Sequence, residues 1–404
     1  MDLGISDKLQ PILAQVRQFI SDEILPLEDE YLQEVGVGDR WQYTDRQAEI
    51  LESLKARARD QGLWNFFLTH HDGGHGLNTV EYAYIAEETG KSHLAPEVFN
   101  CSAPDTGNME VLARYGTEQQ KGQWLKPLLA GEIRSAYVMT EPDEASSDAT
   151  NISMSCVRDG EHYVLNGDKI WISGAGDPRC RILIVMCRSN PEASRHSQHS
   201  QILVPMDTSG VEVLRPMLVF GGDDAPHGHM HMRFTDVRVP VENIILGEGR
   251  GFEVAQGRLG PGRIHHCMRA IGMSESALEL LCKRSVSRKA FGRPLAKLGA
   301  NYDIIANCRM DIEMARLLCL KTAWMMDEHG VDAAQHYISM IKSVAPNVAQ
   351  RVLDEAIQMH GGQGVSQDTP LAHWYAQNRT LRFADGPDAV HRMVVARREL
   401  KRYL

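Results

Sequence analysis

No run of about 18 apolar residues occurs in the sequence, so no segment is expected to cross a membrane. The opening MDLGISDKLQ has neither the basic stretch nor the apolar stretch of a secretory signal, which predicts a cytoplasmic protein. The eight cysteines, at 101, 156, 180, 187, 267, 282, 308 and 319, form no CxxC pair and read as reduced core thiols. Positive charge is also short. A net charge of −10 argues against nucleic acid and anionic membranes as general partners, although a few local arginines can still hold a phosphate. Neither GxGxxG nor HExxH occurs. Gly90-Lys91-Ser92 imitates the end of a phosphate loop, but Ile85 stands where that loop needs its first glycine, so a helix terminus is expected. His229 and His231 would share one strand face, yet no third ligand is specified nearby, and no metal is predicted. The adjacent pairs His70-His71 and His265-His266 diverge on any regular element. No internal repeat or low-complexity tract interrupts the chain.

What is present is a globular chain of 404 residues, 43% hydrophobic, enough for two or three packed domains. Residues 1–132 read as helical, with apolar residues at mixed three- and four-residue spacing over Leu9 to Ile24 and Leu112 to Leu129. Gly73-Gly74-His75-Gly76 punctuates this zone as a loop. Residues 133–245 turn to strand signals. Tyr163 to Ile172 is expected to be a hairpin turning at Asn166-Gly167, Arg181 to Met186 a short strand, and His231 to Val239 an alternating one before Pro240. Residues 246–404 return to helix, with Ile305, Cys308, Ile312, Ala315, Cys319, Thr322 and Met326 forming a seam suited to a four-helix bundle. The predicted class is α+β: an N-terminal helical domain, a central antiparallel β domain and a C-terminal helical bundle.

Four segments could carry chemistry, and each has a plainer meaning. Tyr137 to Asp148 runs from a strand into a loop of hydroxyl and acidic residues, able to bond a polar ring edge or to be a solvated turn. Trp171-Ile172-Ser173-Gly174 could stack a flat cofactor or simply join the core. Arg288 to Pro294 clusters guanidinium groups beside glycine and an aromatic, which suits a phosphate or an ordinary basic loop. The Q-M-H-G-G-Q-G-V stretch from Gln358, followed by Arg379 to Asp388, pairs glycines with two aspartates; Asp385 or Asp388 is at its plainest a helix N-cap.

Taken in order, these segments resemble the acyl-CoA dehydrogenase family over nearly the whole chain. The T-E-P…S-D segment at 140–148 is similar to a family signature, with one extra residue before Ser147. Phe234 to Pro240 with Gly247 to Phe252, Arg288 to Gly292, and Q-x-x-G-G-x-G at 358–364 also match. Gln256 to His266, with A-D-G-P-D at 384–388, resembles the subgroup that in animals is often fused to a kinase-like domain.

The resemblance implies FAD as cofactor. Met139, Thr140, Trp171 and Ser173 would bind its flavin end, with Ser147 also among the cofactor-binding residues. Arg288, Ala290, Gln358, Gly361 and Gly362 would bind the pyrophosphate and adenosine of a neighbouring subunit's FAD. Ser147, Gly260, Arg263 and Gly386 would line an acyl-CoA site, and Asp385 stands where common members place a catalytic glutamate. Gly299 and Ala389 depart from the pattern, falling where many members carry glutamine. The implied reaction removes the α-proton of the thioester and passes the β-hydride to flavin, giving a trans-2-enoyl-CoA. Electron-transferring flavoprotein would be the electron acceptor and a homodimer or homotetramer the assembly. Plain acyl chains and 4-hydroxy- or 4-phosphooxy-acyl chains are all open as substrates. Two rival readings also stay open: a nitroalkane oxidase-like flavin oxidase, and a scaffold without chemistry.

Overall fold

The computed structural model describes residues 1–69 and 74–404, except the side chains of Leu259 and Pro261. The His70-His71 pair and Gly73 lie outside the described residues. By their contacts the residues group into two compact units. One holds Met1–Pro26, Phe66–Pro96 and Gly260–Leu404, the other Leu27–Asn65 and Glu97–Leu259. Along the chain the order is helices, sheet, helices, as the patterning implies.

The helices before the sheet are α1 (Leu9–Phe19), α2 (Leu25–Glu34), α3 (Asp45–Asp60), α4 (Thr79–Thr89), α5 (Ala95–Val98), α6 (Asp105–Tyr115), α7 (Glu118–Gln120) and α8 (Lys126–Leu129). Three begin with reciprocal caps, Thr44 with Gln47, Asn78 with Glu81 and Thr117 with Gln120, which satisfy otherwise unpaired N–H groups. Helix α1 buries Leu9, Leu13, Val16 and Phe19, and the chain widens into a π-helical turn over Ile20–Ile24. Among the other predicted loop glycines, Gly74 and Gly76 do lie between helices.

The second unit carries a seven-stranded sheet: β1 (Arg134–Val138), β2 (Ser155–Asp159), β3 (His162–Ser173), β4 (Cys180–Arg188), β5 (His199–Pro205), β6 (Val211–Pro216) and β7 (His229–Pro240). Its order is β1-β4-β2-β3-β7-β6, with β5 beside β4. The expected turn at Asn166-Gly167 does not exist: β3 is one strand from His162 to Ser173. It pairs along β7 and buries Tyr163, Leu165 and Ile172 in the same core as Met232, Phe234 and Val237, contacts that a mid-strand turn would forfeit. Asn166 instead faces a bulge in β7, where Asp236 (φ 48°) donates its N–H to the Asn166 Oδ1 at 2.8 Å. The actual two-residue turn is Gly160-Glu161, between the paired Asp159 and His162.

In the other unit, α9 (Gly251–Ser287, from Gly260 on) leads through the two-residue strands β8 (Lys289–Ala290) and β9 (Arg293–Pro294) to α10 (Asn301–His360), broken at Gly330, then α11 (Leu371–Thr380) and α12 (Asp388–Leu400). Helix α4 presses onto α9 so closely that a Cβ on Gly272 would lie 1.9 Å from the Glu87 carbonyl oxygen. The predicted seam is real, and Cys308, Ile312, Ala315, Cys319 and Thr322 are buried within the chain. The opposite side of α10 exposes a second apolar stripe, Tyr302, Met310, Met314 and Leu317, which the sequence pattern did not single out.

Candidate active site

In the sheet unit, Met139 and Thr140 follow the end of β1 and are fastened to β3: the Ile170 N–H donates to the Thr140 carbonyl at 2.9 Å, and Lys169 Nζ donates to the Met139 carbonyl at 2.9 Å. Lys169 is fully buried and paired with Glu141 at 2.9 Å. Burial is the largest single influence on Glu141 and raises its pKa. The Lys169 charge and the N–H groups of Ser153 and Met154 together outweigh it, so the carboxyl sits below its ordinary range. The acidic residue of the T-E-P segment therefore builds the loop rather than facing a ligand. Ser146 is likewise internal, accepting from the Glu141 N–H at 2.9 Å, whereas Ser147 is exposed.

At the far end of β3, two residues, Ile170 and Trp171, bulge opposite one residue of β7. Trp171 takes a left-handed φ of 58° and remains 42% exposed, although Ile172 beside it is core. A half-open indole at a strand end, beside the partly exposed Met139, Thr140 and Ser173, offers a flat apolar face edged by hydroxyls. That fits one face of an isoalloxazine ring. Ser173 Oγ lies 2.8 Å from His229 Nδ1, the residue directly opposite it on β7. The histidines flagged as a possible chelate are thus divided, His229 to Ser173 and Asp224, and His231 to Asp168 at 3.1 Å.

In the helical unit, Asp385 occupies the turn between α11 and α12. It is not a helix cap, since Pro387 holds that position. Its φ is 55°, and its carbonyl accepts from Arg263 Nε at 3.1 Å and from His391 Nε2 at 3.1 Å. Its carboxylate Oδ2 lies 3.5 Å from His266 Nε2. Burial first, then the Arg263 charge, pushes the His391 pKa down to about 4, so the ring is neutral and donates from Nε2. Gly386 follows at φ +100°, where an added Cβ would sit 2.9 Å from His391 Nε2. Lys342, its pKa lowered by burial, donates to the Leu381 carbonyl at 2.6 Å and ties α10 to the same loop. Asp388 has other attachments: its Oδ2 accepts from Asn347 at 3.0 Å and from Arg382 at 2.9 Å.

Of the remaining predicted residues, Gly260 and Arg263 lie three apart on α9, with Gly260 buried and Arg263 partly so. Arg288 and Ala290 flank the start of the small hairpin, whose turn, Phe291-Gly292, has both φ angles positive. Phe291 is 93% exposed there. Gln358, Gly361 and Gly362 are exposed at the end of α10, with open space where a Cβ would project from either glycine. Gly299 and Ala389 are exposed too. A basic, aromatic hairpin and an open glycine pair suit an extended phosphate-bearing ligand lying across the surface. Sequence reasoning weighed His229 and His266 only as metal ligands and missed Lys342 and His391, because histidines and a lysine scattered over three helices and a strand share no spacing. A polar cavity of about 730 Å³ elsewhere in the helical unit contains none of the predicted residues, and is lined by paired charges such as Arg316 with Glu87 and Arg309 with Glu275.

Helices, an antiparallel-rich sheet and helices again, in that order along the chain, are the architecture of the acyl-CoA dehydrogenases; a solved Mycobacterium abscessus structure assigned to that group superposes with a TM-score of 0.96 at 49% identity over 99% of this chain and 100% of its own. Models of the acyl-CoA dehydrogenase N-terminal, middle and C-terminal domains match residues 6–132, 136–237 and 249–400. A probable acyl-CoA dehydrogenase of Mycobacterium tuberculosis, FadE2, is 52% identical over 406 residues, 100% of this chain and 98% of its own. Acyl-CoA dehydrogenase family member 11 of Gallus gallus is 54% identical over 401 residues, 98% of this chain but 51% of its own, so the chain spans about half of that relative. The chain belongs to the acyl-CoA dehydrogenase family. Among the described residues, no helix is long and apolar enough to cross a membrane.

Proposed function

We propose that the protein is an FAD-dependent acyl-CoA dehydrogenase that converts an acyl-CoA thioester to a trans-2-enoyl-CoA, with Asp385 as the base. The observation that carries this reading is the setting of Asp385. It lies in a turn whose backbone is held by Arg263 and His391, rather than in a helix cap. A carboxylate of ordinary pKa near 4 removes a thioester α-proton only when it is aimed and the developing enolate oxygen is stabilised. Arg263 and His391 supply the aim by fixing the carbonyl of the same residue. Because Asp is one methylene shorter than Glu, the left-handed backbone at Asp385 and the glycine after it provide the reach that side-chain length would otherwise give.

Bound flavin supplies the hydride acceptor for the β-carbon. Met139, Thr140, Trp171 and Ser173 would hold its ring, while Arg288, Ala290, Gln358, Gly361 and Gly362 would hold the pyrophosphate and adenosine of a neighbouring subunit's cofactor. Ser147, Gly260, Arg263 and Gly386 would contact the acyl-CoA. Electron-transferring flavoprotein would take the electrons, and the apolar stripe of Tyr302, Met310, Met314 and Leu317 would join the copies of a homodimer or homotetramer.

Anaerobic titration with a panel of acyl-CoAs tests the reaction. A yellow protein bleached by at least one of them is the expected result. Fast reoxidation by air with no acyl-CoA response would favour an oxidase, and a colourless chain that refuses FAD would sink both readings.

A further inference from the structure

Ser173 and His229 face each other across β3 and β7, with Oγ and Nδ1 2.8 Å apart. On the far side of the imidazole, Nε2 lies 3.7 Å from Asp224 Oδ2, long for a hydrogen bond but close for a charge. Such a carboxylate favours the tautomer with its proton on Nε2, which leaves Nδ1 as a lone pair. The Ser173 hydroxyl then donates to His229, and only its oxygen lone pairs remain for anything on its other side. Burial holds the His229 pKa below the ordinary histidine range, with the Asp224 charge opposing and His227 assisting, so the neutral ring dominates at neutral pH.

The other groups around this ring leave the assignment intact. Trp171 of β3 approaches at 6.2 Å between centroids and His227 at 6.3 Å. Asp223 pairs with Arg40 at 2.7 Å, while Asp168 takes His231 and Arg233 further along the strands. Asp224 is therefore the carboxylate beside Nε2.

We propose that His229, backed by Asp224, is a positioning residue that fixes the polarity of the Ser173 hydroxyl, presenting an acceptor rather than an O–H donor to the flavin ring. The inference rests on the flavin reading above, with Ser173 at the ring edge. An acceptor there matches a ring N–H, which the reduced cofactor has, better than a bare ring nitrogen, which the oxidised one has. His229 therefore biases the couple toward the reduced form, and it gains or loses no electron in doing so. Protonating His229 reverses the bond: Nδ1–H then donates to Ser173, whose own proton turns outward.

The test is the flavin midpoint potential of the holoprotein as a function of pH, in a double-mutant cycle. His229→Phe is expected to shift the equilibrium about tenfold toward oxidised flavin, about 30 mV lower for a two-electron couple. It should also remove a break in the pH profile that the parent shows below neutrality. In a Ser173→Ala background the same substitution should change little, because its effect passes through the hydroxyl. Asp224→Asn, which leaves the strand pair in place, should shift the potential in the same direction by less. Nitrogen NMR of the parent should find Nδ1 unprotonated at neutral pH. An equal effect of His229→Phe with and without Ser173, an unchanged potential, or a proton on Nδ1 would each overturn the proposal. A protein with the expected NMR signature that takes up no FAD would instead remove the flavin reading, and the acceptor role with it, leaving the Ser173–His229 bond standing.

Discussion

Asp385 and Asp388 are three residues apart on one turn and are held in opposite ways. Asp388 spends its side chain on Arg382 and Asn347, and these partners lower its pKa against the burial that would raise it. Asp385 is held chiefly by its backbone carbonyl, while its carboxylate stands 3.5 Å from His266 Nε2. Asp385→Asn should therefore retain fold, colour and acyl-CoA binding while flavin reduction in a stopped-flow experiment slows by about 10²–10⁴-fold. Asp385→Glu should keep partial activity. Asp388→Asn should do the reverse, losing about 1–2 kcal/mol in urea unfolding with little change in rate. A slow Asp388→Asn enzyme beside a normal Asp385→Asn enzyme would exchange their roles.

At the scale of the element, the end of β1 and the middle of β3 are joined by the buried Glu141–Lys169 pair. The pKa of Glu141 is lower folded than the roughly 4.3 expected unfolded, so its contribution is complete above that value and is lost as pH falls through the folded pKa. Glu97 adds to the same acid sensitivity: burial raises its pKa, but the charges of Arg134 and Arg179 overcome this and hold it well below the carboxylate range. Urea midpoints should thus fall steeply below about pH 4. Glu141→Gln should flatten part of that fall and cost about 3–5 kcal/mol at pH 7, because it strands the buried lysine charge. Adding Lys169→Met should return much of the loss. If Glu141→Gln is as stable as the parent, the pair does not hold this edge of the sheet.

For the whole molecule, the apolar stripe exposed on α10 calls for a cover. Met310, Met314 and Leu317 recur at four and three residues and are each more than half exposed, at 53%, 61% and 54%. A second copy is the expected cover, and light scattering at micromolar concentration should give a dimer or tetramer. Met310→Lys with Met314→Lys should lower that mass. On the proposed reading, Arg288→Glu should release FAD without lowering the assembly's mass, since it would reverse charge beside the cofactor's phosphates and leave the stripe alone. A parent that is monomeric with FAD still bound would remove both the shared site and the stripe's role.

The order of helical and strand regions and the seam on α10 were legible in the sequence because each is a local property: a period or a composition. The family resemblance drew on the same local strings. Local signals failed at Asn166-Gly167, where pairing with the long strand β7 overrode a strong turn dipeptide. Nor could they tell that the glutamate of the T-E-P segment turns inward to a lysine 28 residues away. Whether an aspartate caps a helix or occupies a turn, and which histidine meets Ser173, depends on groups remote in sequence being brought within 3–4 Å. No periodicity encodes such distances, because they follow from bulges, strand register and helix crossings that exist only once the chain has packed.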